Sequence, residues 1–492
     1  MSEAQGSAGE GVTRLIVGPF NRVEGDLEVR LDIANGAVAQ AHVSSPLFRG
    51  FERILEGRDP MDALVIAPRI CGICSVSQSQ AAALALAGLQ GLVPTWNGRI
   101  ATNLIVATEN VADHLTHFHL FFMPDFARAA YAGRPWFAKA EARFKAGRGT
   151  SARRLLEARA TLLHVLGLLA GRWPHTLAIQ PGGVTKRAES RDKVRLLATL
   201  GAVRAILEDQ LFGTKLEQVA ALTERAELDA WRAGGPDGDF RLFLEIAADL
   251  ELAYQGRAYD RFLSYGAYPA QEGALYPAGV HVAGQAGGFD PTDIAEDHTF
   301  SRMEARAHPH HPFQGSTVPD AADEIGYTWC KAPRLNGLPF ETGALARQVI
   351  DGQPLIRDLV AWAGGNVFSR VIARLVESAR TLIAMEAWVR ALEPEGSWCA
   401  QGQMPDRGRF AGLTEAARGA LGHWVEVEGG KISRYQIIAP TTWNFSPRDA
   451  AGMPGPLEAA LVGAIVRPDE TTPLSVQHIV RSFDPCMVCT VH

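Results

Sequence analysis

Three observations predict a mostly α (α+β) fold, a large buried helical bundle with β-hairpins and small sheets at its periphery. Apolar residues recur every three or four positions through long central stretches, which is the helical period. Strict apolar–polar alternation around turn dipeptides appears only near the two ends. The composition, 47% hydrophobic and 21% charged over 492 residues, is enough to bury a large core.

The N-terminal β region covers about residues 12–50. Leu27, Val29, Leu31 and Ile33 alternate with polar neighbours, Asn35-Gly36 supplies a tight turn, and Val38 to Val43 returns. The helical core covers about 60–410. Over Asn97–Phe122, the residues Ile100, Leu104, Ala107, Val111, Leu115, Phe118 and Phe122 form one apolar stripe. Similar patterns predict helices over Ser151–Gly171, Ser190–Leu222, Phe240–Ala253, Pro354–Ala391 and Pro456–Val466. Between Tyr259 and Leu345 the pattern dissolves into Gly, Pro, His and aromatic residues; the His308–Pro312 run reads as a solvated loop. A second hairpin, His423–Val427 and Ile432–Ile438 around Gly429-Gly430, opens a C-terminal region of about 411–492. No repeat or linker divides the chain, so one unit spanning 1–492 is expected.

The formal net charge is −6, without a Lys/Arg run, which argues against electrostatic nucleic-acid binding. No apolar run approaches the roughly 20 residues of a membrane span. The first residues, MSEAQGSAGEGVTR, are polar and unlike a signal peptide, so a cytoplasmic protein is expected.

Six cysteines are too few for a disulfide scaffold. Four form two C-x-x-C pairs at opposite ends, Cys71 with Cys74 and Cys486 with Cys489. Cys330 and Cys399 each follow a Trp and read as small buried hydrophobes. Four thiols make soft ligands for zinc, nickel, copper(I) or iron–sulfur. A zinc staple is one reading, although zinc ribbons place their pairs much closer in sequence. A redox dithiol is another, but it leaves the second pair unexplained.

The flanks narrow the choice. Arg69-Ile70-Cys71-Gly72-Ile73-Cys74 and Asp484-Pro485-Cys486-Met487-Val488-Cys489-Thr490-Val491-His492 resemble the end motifs of the large subunit of [NiFe]-hydrogenases, in the same order. So do Arg22-Val23-Glu24-Gly25, Arg49-Gly50-Phe51-Glu52, Asp113–Phe118, Arg418–Trp424 and Pro440–Asn444. The resemblance extends over nearly the whole chain and implies the fold of that subunit. It also implies a Ni-Fe(CO)(CN)2 centre, with Cys71 and Cys486 as terminal nickel ligands and Cys74 and Cys489 bridging to iron. Cys486 would receive a proton from H2 and pass it to Glu24. Arg418 would overhang the metals, steadied by Asp113 and Asp484. Glu52, the Ile437 carbonyl and His492 would hold Mg2+ or Fe2+ near the chain end. Further implications are a small subunit that carries all the Fe-S clusters, nickel and iron maturation proteins, and a heterodimer or a dimer of heterodimers. His114 and His117 read as packing residues beside the centre.

The chain departs from the catalytic members of that family at several places. Gln78 stands where they usually have His, a substitution characteristic of hydrogen-sensing members; an amide donates to a thiolate but does not titrate. Ile73 and Phe121 are bulkier than usual at gas-channel positions, Ala417 replaces Pro, and Asp26 replaces His. Catalytic precursors carry a tail beyond the final His that a protease removes; the sequence ends at His492, which is expected either of such a matured form or of a protein made without a tail, as sensors are. Three hypotheses follow. The first is a cytoplasmic hydrogen sensor of low turnover that signals to a histidine kinase. The second is an uptake hydrogenase, and the third is a zinc-stapled structural protein.

Overall fold

The computed structural model describes residues 12–304, 308–468 and 470–492. Most of the polar N-terminal stretch therefore lies outside the described residues.

Two long helices form the spine. Trp96–Thr116 begins where the Thr95 hydroxyl accepts from the Gly98 amide at 3.2 Å. Val367–Ala391 begins with a reciprocal cap between Asn366 and Ser369. The two pack together through faces that are almost entirely buried. Several predicted helices are interrupted. Pro354–Ala391 is two helices, because Gly364 takes a φ of +77° between Ala363 and Val367. Asn97–Phe122 widens into a π turn over His117–Phe122, and Pro124 follows. Ser190–Leu222 likewise becomes π-helical at Leu207–Phe212 and stops at Gly213, φ +69°. Pro456–Val466 is helical only over Pro456–Leu461.

The helix Ser75–Leu89 has no counterpart in the sequence expectation. Its residues are mainly Ala, Ser and Leu, apolar or small on every side, so no amphipathic period marks it. It is buried and lies across the strand Arg407–Ala416.

The small sheets flank this bundle. Thr13–Val17, Glu28–Ala34 and Ala37–Ser44 form an antiparallel meander. Its Asn35-Gly36 turn has φ values of 53° and 74°, the left-handed pair that such a two-residue turn requires. Arg407–Ala416, Gly419–Glu428 and Lys431–Ile438 form a second meander, one strand larger than the expected hairpin. The stretch 259–345, read as irregular, contains a third: Phe262–Pro269, Ala274–Val282 and Gln285–Gly287. Its glycines and internal proline masked the alternation.

One continuous core runs from Leu15 to Cys489 and includes all four paired cysteines. Among the described residues no helix is long and apolar enough to cross a membrane.

Candidate metal centre

Cys71 sits in extended backbone after the turn Ala67–Ile70, and Cys74 occupies the position before the helix Ser75–Leu89. Cys74 gives that helix no side-chain cap. Glu109, from the helix Trp96–Thr116, caps it instead by accepting from the amides of Val76 and Ser77, each at 2.9 Å. The other pair follows the helix Leu474–Ser482 and the residue Asp484, whose φ is +56°. The amide of Met487 donates to the Glu24 carbonyl at 2.7 Å, so the segment carrying Glu24 runs parallel to Cys486.

These segments bring four sulfurs to one place. Cys71 and Cys486 approach to 3.4 Å, Cys74 and Cys489 to 2.9 Å, and Cys486 and Cys489 to 3.2 Å. All four ligand atoms lie within 4.8 Å of one another, and all four residues are buried. The amides of Ile73 and Cys74 each donate to Cys71 at 3.3 Å. Hydrogen bonds from the other cysteines, Cys486 first, pull the Cys71 thiol well below its ordinary value. Cys486 pushes Cys74 well above it, and burial does the same for Cys489. Four buried sulfurs in mutual contact are costly to ionise together, and a bound cation is what would stabilise them as thiolates. This donor set fits a soft metal.

Arg418 covers the same region from the turn between Arg407–Ala416 and Gly419–Glu428. Its guanidinium meets Asp113 at 2.7 Å, the Asp484 carboxylate at 3.2 Å and the Asp484 carbonyl at 2.9 Å. Glu24 is half-buried; burial first, and then the nearby Cys71, raise its pKa, while Arg418 and Arg49 oppose them. His114 donates or accepts at Glu377 (3.0 Å), and His117 donates to the Arg481 carbonyl (2.6 Å). Both imidazoles therefore engage protein partners.

Compared with known proteins, the chain matches the family model described as nickel-dependent hydrogenase over residues 49–141 and 153–492. The chain belongs to this nickel-dependent hydrogenase family. It is 30% identical to the periplasmic [NiFeSe] hydrogenase large subunit of Desulfomicrobium baculatum, over 100% of this chain and 97% of that one. It is 26% identical to the hydrogenase-2 large chain of Escherichia coli (strain K12), over 97% of each. The reduced Ni-Fe-Se hydrogenase of D. vulgaris Hildenborough superposes with a TM-score of 0.83 at 30% identity, covering 98% of this chain and 100% of that chain. The mostly helical fold with small sheets is thus the hydrogenase large-subunit fold, and the protein is a hydrogenase.

A second polar cluster lies near the chain end of this hydrogenase. Glu52 accepts from the Ile437 amide at 2.7 Å, meets His492 Nε2 at 3.2 Å and lies 3.4 Å from the Lys331 ammonium. The N–H of Ile437 thus places its backbone beside Glu52 and His492, the other two residues expected at an ion near the chain end. Lys331 also reaches Glu296 and Gln436, each at 3.0 Å. Burial works against ionisation of Glu52, but Lys331 and His492 hold it at about 2.

Gln78 reaches the Cys489 sulfur with its amide nitrogen at 3.9 Å, while its carbonyl lies 2.7 Å from His423 Nε2. His423 Nδ1 in turn meets the Tyr435 hydroxyl at 2.7 Å. Burial lowers His423 to about 3, so its ring is neutral. Sequence reading singled out neither His423 and Tyr435 nor Glu109, Lys331 and Glu296. His423 had one available signal, its place in the Arg418–Trp424 motif; the others sit in ordinary-looking segments.

Proposed function

We propose that the chain is the H2-binding large subunit of a heterodimeric [NiFe]-hydrogenase that oxidises H2 to two protons and two electrons. The observation that carries this reading is the convergence of four buried sulfurs from opposite ends of the chain. Cys71, Cys74, Cys486 and Cys489 would hold the nickel, with iron carrying CO and cyanide beside it. When bound, this centre supplies the Lewis acidity and redox capacity that polarise and split H2.

The side chains then handle the proton. Cys486 Sγ receives it in a site closed to water. Glu24, whose raised pKa brings it closer to a thiol, takes it onward towards the surface. Arg418, fixed between Asp113 and Asp484, holds a positive charge over the site without moving. The four paired cysteines are all committed to one centre, so the electrons leave through Fe-S clusters in a partner small subunit.

Mg2+ or Fe2+ would bind at Glu52 and His492. His492 Nδ1 lies 3.0 Å from the Cys489 carbonyl and Nε2 3.2 Å from the Glu52 carboxylate, so a neutral ring donating through Nδ1 would leave Nε2 free to join Glu52 on the metal in place of its present contact. Beside them Glu296 Oε1 is buried without a hydrogen-bond partner. Two acidic side chains against one lysine leave negative charge that a cation would neutralise.

The relatives named above are hydrogenases in their own right, one of them periplasmic, which supports an uptake enzyme. A second reading, a cytoplasmic regulatory hydrogenase that reports H2 to a histidine kinase, is favoured by Gln78 against the Cys489 sulfur. Infrared spectra of the purified heterodimer test the shared core, since CO and cyanide stretches should appear where protein does not absorb. Their absence, or zinc without nickel on elemental analysis, defeats both readings. Dye-coupled H2 oxidation then separates them. Fast turnover in the parent supports uptake. Slow turnover that rises in Gln78→His, with nickel unchanged, supports the sensor.

A further inference from the structure

The Gln78–His423–Tyr435 file is unexplained by the ligand set, and its direction can be deduced. Gln78 comes from the helix Ser75–Leu89, whereas His423 and Tyr435 come from adjacent strands, Gly419–Glu428 and Lys431–Ile438. In the register, His423 pairs with Ile437 and Val425 with Tyr435, so His423 and Tyr435 are diagonal neighbours on one face of the sheet. All three side chains are buried, at 1%, 0% and 0% exposure, which closes the file to competing water.

A metal-bound thiolate at Cys489 is an acceptor only, so the group facing it has to donate. That selects the Gln78 amide N–H2 and turns the Gln78 carbonyl towards His423. The carbonyl then needs a donor at 2.7 Å, which fixes the His423 proton on Nε2. Nδ1 is left as an acceptor, and the Tyr435 O–H, also at 2.7 Å, fills it. Reversing any one link sets two acceptors or two donors against each other at hydrogen-bond distance. The only consistent order runs Tyr435 to His423 to Gln78 to sulfur.

We propose that His423 is a positioning residue for the metal centre: its Nε2–H fixes the rotation of the Gln78 amide so that the N–H2, and not the carbonyl, faces the Cys489 sulfur. The inference rests on the metal-centre reading, because only a metal-bound Cys489 is an obligate acceptor. It goes beyond that reading by making the sulfur's hydrogen bond depend on a residue that touches neither metal nor ligand. Without that anchor the amide plane is free to rotate out of line with the sulfur, the already long 3.9 Å hydrogen bond to Cys489 weakens, and electron density at the centre rises.

The test uses the mature heterodimer and its infrared bands. His423→Phe should shift the CO and cyanide bands in the same direction as Gln78→Leu, with nickel content unchanged. The double variant should shift no further than Gln78→Leu alone, since both changes remove one hydrogen bond. His423→Gln, which restores an N–H at the same reach, should return the bands towards the parent positions. Parent-like bands in His423→Phe, or a double-variant shift equal to the sum of the single shifts, overturn the proposal. Should His423→Phe fail to fold, a neutron structure of the parent decides directly. Deuterium on His423 Nε2 supports the assignment, and deuterium on Nδ1 with an inverted Gln78 amide overturns it. Absence of nickel from the parent would remove the metal-centre reading and this inference with it. Nickel present with parent-like bands in His423→Phe would remove the inference alone.

Discussion

Arg418 engages Asp113 and Asp484 through three different nitrogens, a planar fork that no other side chain reproduces. Arg418→Lys keeps a positive charge but cannot hold both carboxylates and the Asp484 carbonyl together. We expect nickel to be retained and H2 oxidation to fall on the order of 100-fold, the cost typical of losing one fixed electrostatic donor. Parent-like turnover with full nickel would exclude a role for the fork. Glu24→Gln is expected to keep nickel while abolishing hydrogen–deuterium exchange with solvent, because an amide cannot accept the proton from Cys486. Unchanged exchange would exclude Glu24 as the proton acceptor. At this scale the cysteines, Glu24, Asp113, Arg418 and Asp484 were legible because their neighbours form motifs. Glu109, Lys331 and His423 were not, since a buried charge or imidazole acquires its meaning from partners 30 to 350 positions away.

The elements were legible wherever local chemistry specified them. Asn35-Gly36 and Gly429-Gly430 announced their hairpins through the left-handed φ values those turns need. The helix Ser75–Leu89 was invisible because burial on every side erases the period. Its packing makes a sharp prediction. A Cβ on Gly412, in the crossing strand Arg407–Ala416, would lie 2.0 Å from the Ala81 carbonyl and 2.5 Å from the Ala85 amide nitrogen. Gly412→Ala must push the helix and strand apart, and with them Gln78 and Arg418; a loss of roughly 1–3 kcal/mol is expected from such overpacking. A lowered melting temperature together with shifted infrared bands would register both effects, and an unchanged melting temperature would contradict the packing.

The helix Pro456–Leu461 carries a different signature. Glu458 accepts from the Val43 amide at 2.9 Å and the Tyr327 hydroxyl at 2.8 Å, and burial raises it to about 7. Between the unfolded value of 4.5 and about 7 the native state keeps a proton that the unfolded chain has released. Stability therefore falls as pH rises through that window, by about 3 kcal/mol at roughly 1.4 kcal/mol per unit. Glu458→Gln does not titrate, so its melting temperature relative to the parent should improve from pH 5 to pH 8. A difference independent of pH would mean that Glu458 is ionised throughout.

For the whole molecule, the two cysteine pairs announced that the chain ends meet, and the core bears this out by running from Leu15 to Cys489. How the last segment is held was not legible, because its contacts are to backbone atoms. The Met487 amide donates to the Glu24 carbonyl, the Cys486 amide donates to the Thr441 hydroxyl at 3.2 Å while its carbonyl accepts from the amides of Cys489 and Thr490, and the Thr442 hydroxyl donates to the Thr490 carbonyl at 3.1 Å. These few bonds tie down a segment whose residues are buried almost throughout, with two thiols that burial or neighbouring sulfurs push above their ordinary range. A metal that joins Cys486 and Cys489 to Cys71 and Cys74 would cross-link the chain's two ends and stabilise the native state by mass action, about 4 kcal/mol at a thousandfold excess over Kd. Protein matured without nickel should therefore open locally at residues 484–492 while the helix Val367–Ala391, capped and packed on its own account, stays closed. Amide exchange read by mass spectrometry should show the terminal peptide exchanging at least about 10-fold faster without nickel, a gap of 1.4 kcal/mol, and the central helix unchanged. Equal protection of the terminal peptide in both forms would show that hydrogen bonds alone close the chain, and that the four sulfurs meet without help from a metal.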